Sequence, residues 1–131
     1  MSENPFAAVL TEELNEKQQS QESLRVLQEF CSGVEFSTAK RVLCTLDRGH
    51  RVNYGQEWRV VIRSPHGGPP QVLFRAYVQD TDWPMVLDLH QGALTEAQGK
   101  DECVQMLQDF LRDPNVVTQI RYVMAFPRQL A

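Results

Sequence analysis

The sequence predicts an α+β fold. Three observations carry this. Apolar residues recur at helical spacing before Glu57, alternate with polar ones from Glu57 to His90, and return to helical spacing after Asp101. Two clusters of chain-breaking residues divide the alternating region into three runs. The 131 residues fit one domain, long enough to bury about two thirds of the surface of its unfolded chain.

The N-terminal region reads as helices. Asn4-Pro5 is a helix start, with Asn as the cap and Pro in the first turn. Phe6, Val9, Leu10 and Leu14 then form an apolar stripe, and residues 15–23 carry no apolar residue. Residues 1–20 are therefore an amphipathic arm or helix, and 21–131 the domain proper. The stripe either packs on the protein's own core or docks in a partner's groove. Ser23 opens a second helix with Leu24, Leu27, Phe30 and Cys31 on its apolar face and Gly33 just past its end. Ser37 then caps a third segment, in which Ala39, Val42, Leu43 and Leu46 fall at i, i+3, i+4 and i+7, and Asp47-Arg48-Gly49 ends it. A strand over residues 41–46 competes, but only Val42 and Thr45 there are β-branched, so helix is preferred.

The alternating region predicts a three-stranded antiparallel meander at about 57–63, 71–78 and 85–90. Centring the first turn on Gly67 places Val61 opposite Leu73, Val60 opposite Phe74 and Arg59 opposite Arg75. A six-residue second turn places Arg75 opposite Asp88. Residues 91–99 read as a loop. Asp101 begins a helix whose face is Cys103, Val104, Leu107, Phe110 and Leu111, and Asp113-Pro114 both stops it and caps the next segment. Residues 116–124 fit either period; the Asp-Pro start favours helix. The C-terminal helices pack on one face of the sheet, with a core of Trp58, Val60, Ile62, Phe74, Met85, Leu87, Leu107, Phe110 and Leu111.

Candidate chemistry is sparse. The run Ser64-Pro65-His66-Gly67-Gly68-Pro69-Pro70 precedes a strand and lacks a Lys-Ser/Thr pair, so it reads as a hairpin turn and not a phosphate cradle. Asp80-Thr81-Asp82 resembles an acidic metal pair but lies in a turn, where Asp is ordinary. Asp88 and His90 share a strand face without a third ligand. Cys31, Cys44 and Cys103 lack metal-ligand spacing and fall among apolar residues, as buried thiols of a reducing compartment do. No catalytic constellation emerges, and neither a metal nor a cofactor is expected. With no membrane span and no signal peptide expected, the location predicted is the cytoplasm.

Two surfaces are candidates for binding. The outer sheet face carries Arg59, Arg63, Arg75, Tyr77 and His90, a set able to hold an anion or single-stranded nucleic acid. The second lies in residues 33–52. Gly33, Ser37, Thr38, Lys40, Arg41, Leu43, Leu46 and Gly49 form a pattern that resembles the turn and recognition helix of winged helix-turn-helix regulators. The resemblance covers twenty residues and departs from the family at Glu29, where a small residue is usual. It implies that Thr38, Lys40 and Arg41 face the major groove and that Arg48 and Arg51 approach phosphates. The whole chain carries a net charge of −4. The expected function is a non-enzymatic binding or adaptor domain acting through protein contacts, its partner another protein or a second copy. DNA binding ranks second, and a small hydrolase or metal enzyme third.

Overall fold

Five antiparallel strands succeed one another in chain order, between one helix and a closing pair of helices. The structure, a computed structural model, describes residues 4–9, 22–90 and 92–126. Its elements are α1 (Glu22–Ser37), β1 (Leu43–Val52), β2 (Gly55–Arg63), β3 (Gln71–Val78), β4 (Met85–His90), β5 (Ala93–Ala97), α2 (Lys100–Arg112) and α3 (Pro114–Ala125). Residues 5–9 are also helical, and Asn4 Oδ1 accepts from Phe6 N at 2.9 Å, the cap expected there. Leu10 and Leu14 lie outside the described residues. Among the described residues, no helix is long and apolar enough to cross a membrane.

Strand register sorts the side chains by face. Cys44 pairs with Ile62, Leu46 with Val60, Trp58 with Ala76 and Met85 with Ala97, and these point inward. The helices bury that face with Val26, Leu27, Phe30 and Val34 of α1, Cys103, Leu107 and Phe110 of α2, and Val116 and Val123 of α3. Aromatic edges join the layers: Phe74 of β3 meets Phe30 at 5.1 Å and Phe110 at 5.2 Å between ring centroids. The expected core is thus the observed one, with Trp58 and Leu111 at its margin.

Several expectations change. The sheet has five strands, not three. Residues 39–46, expected as helix, form a turn and the start of β1. Helix α1 runs past Gly33 to Ser37. There the Ser37 and Thr38 hydroxyls donate back to the Gly33 and Val34 carbonyls at 2.8 Å, which closes the last turn. Ala39 and Lys40 then take left-handed φ of 52° and 62°, which reverses the chain. Val42 and Cys44 enter the core at spacing two. The charged second half of β1 suits an edge strand, since charge there discourages pairing with other chains. Residues 93–97, expected as loop, are β5, whose only buried residue is Ala97.

The first hairpin keeps the expected pairs Val60–Phe74 and Arg59–Arg75, but Val61 faces Val72. A bulge makes Leu73 the extra residue and turns it into the core. Arg75 faces Asp88 as expected. Residues 116–124 are helical, and Asp113 Oδ1 accepts from Asn115 N at 2.9 Å as the cap of α3.

Candidate functional site

The outer sheet face brings some of the expected residues together. Arg59 and Arg75 are direct cross-strand partners, an arrangement that like charge disfavours. Glu57 resolves it. Its Oε1 lies 3.4 Å from Arg59 Nε, and its Oε2 lies 3.7 Å from Arg75 Nε. Asp47 stands opposite Arg59, and Asp88 opposite Arg75. Gly49 makes room for this bridge, because a Cβ there would overlap the Glu57 carboxylate. Tyr77 is buried beside Tyr54, ring centroids 4.7 Å apart, and burial raises its hydroxyl pKa. Arg63 stands at the end of β2, opposite Leu43. His90 leaves this face: a register shift after Asp88 turns it toward Phe110 of α2, 6.2 Å away between ring centroids. Of the cations on this face, Arg59 and Arg75 therefore have acidic neighbours that balance their charge.

The basic residues expected on a recognition helix are not on a helix. Thr38 is buried at the end of α1, and its hydroxyl accepts from Val42 N at 3.4 Å. Lys40 and Arg41 are exposed in the turn before β1. Arg48 and Arg51 lie on β1, Arg48 3.4 Å from Gln56 Oε1 and Arg51 3.0 Å from Asp80. The element that the resemblance to winged helix-turn-helix regulators requires is replaced by a turn and a strand.

The acidic turn is structural. Asp82 reaches across to α1 and accepts from Glu22 N at 2.8 Å, from Ser23 N at 2.9 Å and from the Ser23 hydroxyl. It is the N-terminal cap of that helix, supplied from the β3–β4 turn. Trp83 Nε1 donates to Glu22 Oε1 at 3.3 Å and reinforces the join. No group of three or more metal-ligating side chains occurs among the described residues.

The glycine–proline run is likewise a packed turn. Ser64 is buried, accepts from His66 N at 3.1 Å and donates to the Phe126 carbonyl at 3.4 Å. Gly68 lies under the Phe126 ring, where a Cβ would stand 3.1 Å from it. The turn thus receives the end of α3. The three cysteines are free and buried, as expected. Burial pushes the Cys103 thiol up to about 12, and contact with Cys31 together with burial raises Cys44 far above the ordinary thiol value.

Concave surfaces among the described residues include a polar cleft and an apolar groove. A polar cleft of about 550 Å³ opens where β3 and β4 splay apart, lined by Arg75, Asp88, His90, Asp113, Asn115 and Gln119 over Phe74 and Phe110. Its two carboxylates already serve the fold: Asp88 accepts from Gly92 N and Asp113 caps α3.

The apolar groove, of about 340 Å³, lies between α1 and α2, with Ile120 of α3 also in its lining. Val26, Phe30 and Val34 form one wall, Leu107 and Leu111 the other, and Glu29, Ser37 and Gln108 edge it. Gly33 sits in the α1 wall, and a Cβ built there meets nothing within 4 Å. Phe36, 88% exposed, comes seven residues after Glu29 and three after Gly33 along α1. Sequence reasoning missed this groove because it took Gly33 for a helix end. The signal that could have found it was the stripe Val26, Phe30, Val34, which runs past the glycine.

No family model, no curated protein and no solved structure matches this chain.

Proposed function

We propose that this chain is a non-enzymatic binding domain that acts through protein contacts, and that its docking surface is the α1–α2 groove, shaped for one face of an amphipathic helix. One observation carries the reading. Gly33 lies inside a helix, where glycine costs about 1 kcal/mol relative to alanine. Neither a left-handed φ nor a close neighbour requires it. The missing side chain does provide depth in the groove wall. The groove is apolar at its floor and polar at its edge, as helix-accepting surfaces are.

The alternatives draw less support. On the arginine face of the sheet, the central pair Arg59 and Arg75 is balanced by Glu57, Asp47 and Asp88, which lowers its attraction for an anion. Asp82 caps a helix, Asp80 pairs with Arg51, and the three cysteines lie buried as free thiols. A cytoplasmic setting suits three free buried thiols.

The test uses a fluorescein-labelled designed amphipathic helix of leucine, alanine, glutamate and lysine, monitored by anisotropy. The chain carries Phe6→Asp and Val9→Asp, which removes its own exposed apolar side chains from competition. Saturable binding is expected. Adding Gly33→Leu fills the groove and should weaken binding about tenfold or more, with the melting temperature unchanged or higher, since leucine is the better helix former. Equal affinity with and without Gly33→Leu overturns the reading.

A further inference from the structure

We infer that the polar cleft between β3 and β4 accepts an extended peptide segment, which joins the sheet there as an added strand. The α1–α2 groove plays no part in this. The starting point is a ladder that stops short. Strand β3 runs from Gln71 to Val78 and β4 from Met85 to His90, and they pair at Arg75–Asp88, Ala76–Leu87 and Tyr77–Val86. The same register would continue to Phe74–Leu89 and Leu73–His90, and neither pair forms. Both strands are irregular at this point. Strand β3 is bulged between its partners Val60 and Val61, and β4 shifts register between Asp88 and His90. Bulges bend a strand and end its pairing. Here one from each side opens a cleft of about 550 Å³ where the ladder ends, a volume within the usual range of binding sites.

The walls define the occupant. One wall is backbone. Residues 71–74 of β3 pair with β2 on one side and border the cleft on the other. Antiparallel strands send the N–H and C=O groups of alternate residues to opposite sides, and the complement of such an edge is another extended backbone. Four residues of β3 match about 13 Å of added strand. The facing wall is made of side chains: His90, Asp113, Asn115 and Gln119 carry donors and acceptors for the second row of the peptide's backbone groups. Phe74, Phe110 and Val116 make the lining apolar beneath. Side chains of an added strand alternate between faces, so every second residue of the ligand is apolar and those between are polar. Arg75 and Asp88, opposite in sign, stand together where the ladder ends, so that end of the cleft favours neither charge. Strand β3 lies inside the sheet, between β2 and β4. Its open stretch is therefore recessed, and admits a flexible segment rather than the edge of a second folded sheet.

The probe is a fluorescein-labelled, acetylated and amidated peptide, Ser-Val-Thr-Val-Thr-Ser, titrated by anisotropy. Two further versions carry N-methyl groups, one on both valines and the other on both threonines. Each removes the backbone donors of one edge. Saturable binding is expected, and at least one methylated version should bind about tenfold more weakly. Equal binding of all three peptides means that side chains alone hold them, and overturns added-strand pairing. Absence of saturable binding up to millimolar peptide overturns it as well.

A second measurement places the peptide. In an isotope-labelled chain, the unmethylated peptide should shift the amide signals of Leu73, Phe74, Leu89 and His90. Shifts confined to Val34, Leu107 and Leu111 place it in the other groove and overturn the inference. Shifts at the cleft that grow with protein concentration and without peptide assign the cleft to a second copy, and overturn it too. Asn115→Trp sets a bulky side chain at an exposed position of the cleft wall. It should weaken binding about tenfold with the melting temperature unchanged, and undiminished affinity in a folded variant counts against the site.

Discussion

Single side chains decide whether the sheet's outer face can exist. Arg59 and Arg75 stand directly across from each other, and Glu57 is two residues from Arg59 on the same strand and face. One carboxylate with an oxygen toward each guanidinium turns a repulsive pair into a bridged one. Its side chain is only 18% exposed, so water screens the bridge less than it would a surface pair. Glu57→Gln should therefore lower stability by about 1 kcal/mol, read as the urea midpoint. Added salt should recover part of the loss by screening the two arginines. Glu57→Gln with Arg75→Gln should restore most of it, because the like-charge pair is gone. A double variant no more stable than the single one would mean that Glu57 acts through packing alone. Gly49→Ala should resemble Glu57→Gln, since its methyl occupies the carboxylate's place. None of this is visible in composition; it needs the register, and the register comes from alternation along β2 and β3.

At the scale of elements, α1 is held by a residue sixty positions away. Helix starts leave backbone N–H groups without partners, and here Asp82 accepts from two of them and from the Ser23 hydroxyl. Asp82→Ala should cost about 1–2 kcal/mol, made worse by its φ of 75°, which alanine tolerates poorly. Asp82→Asn should cost less, since asparagine keeps an acceptor and accepts that φ. Equal losses in the two variants, by thermal unfolding, would show that the acceptor is not what matters. The same scale separates the parts the sequence makes legible from those it hides. Strands β2 to β4 and helix α3 are readable because strict alternation and an Asp-Pro start each point one way. Strand β1 is not, because Val42 and Leu46 satisfy both periods. The deciding feature is a left-handed turn made by Ala39 and Lys40, neither a residue that announces it. Strand β5 buries only Ala97, too little to imprint a pattern. The groove is hidden for a related reason: a glycine near a helix end signals a cap, and only the continuation of α1 through Ser37 reveals Gly33 as interior.

For the whole molecule, one core shared by three helices and five strands joins the fate of the buried thiols to that of the fold. Cys103 of α2 is fully buried beneath the sheet, and burial raises its thiol from 9.0 to about 12. Cys44 of β1 shifts the same way, through its contact with Cys31 and burial. Both are neutral in the fold. Below pH 9 they are protonated in the unfolded chain too, so their contribution to stability is constant. Above pH 9 the unfolded thiols release protons that the folded ones keep. The unfolded state then binds fewer protons than the native state, and stability falls as pH rises. The loss for Cys103 runs from pH 9 to about 12. The urea midpoint should stay level from about pH 7 to about 8.5 and decline beyond it, more steeply than the lysines and tyrosines alone require. Cys103→Ala isolates the thiol: it lowers stability at about pH 7 by opening space in the core, yet should make the alkaline decline shallower. A parallel decline in wild type and Cys103→Ala would show that the thiol ionises equally easily in both states, and that α2 does not shield it as the packing requires.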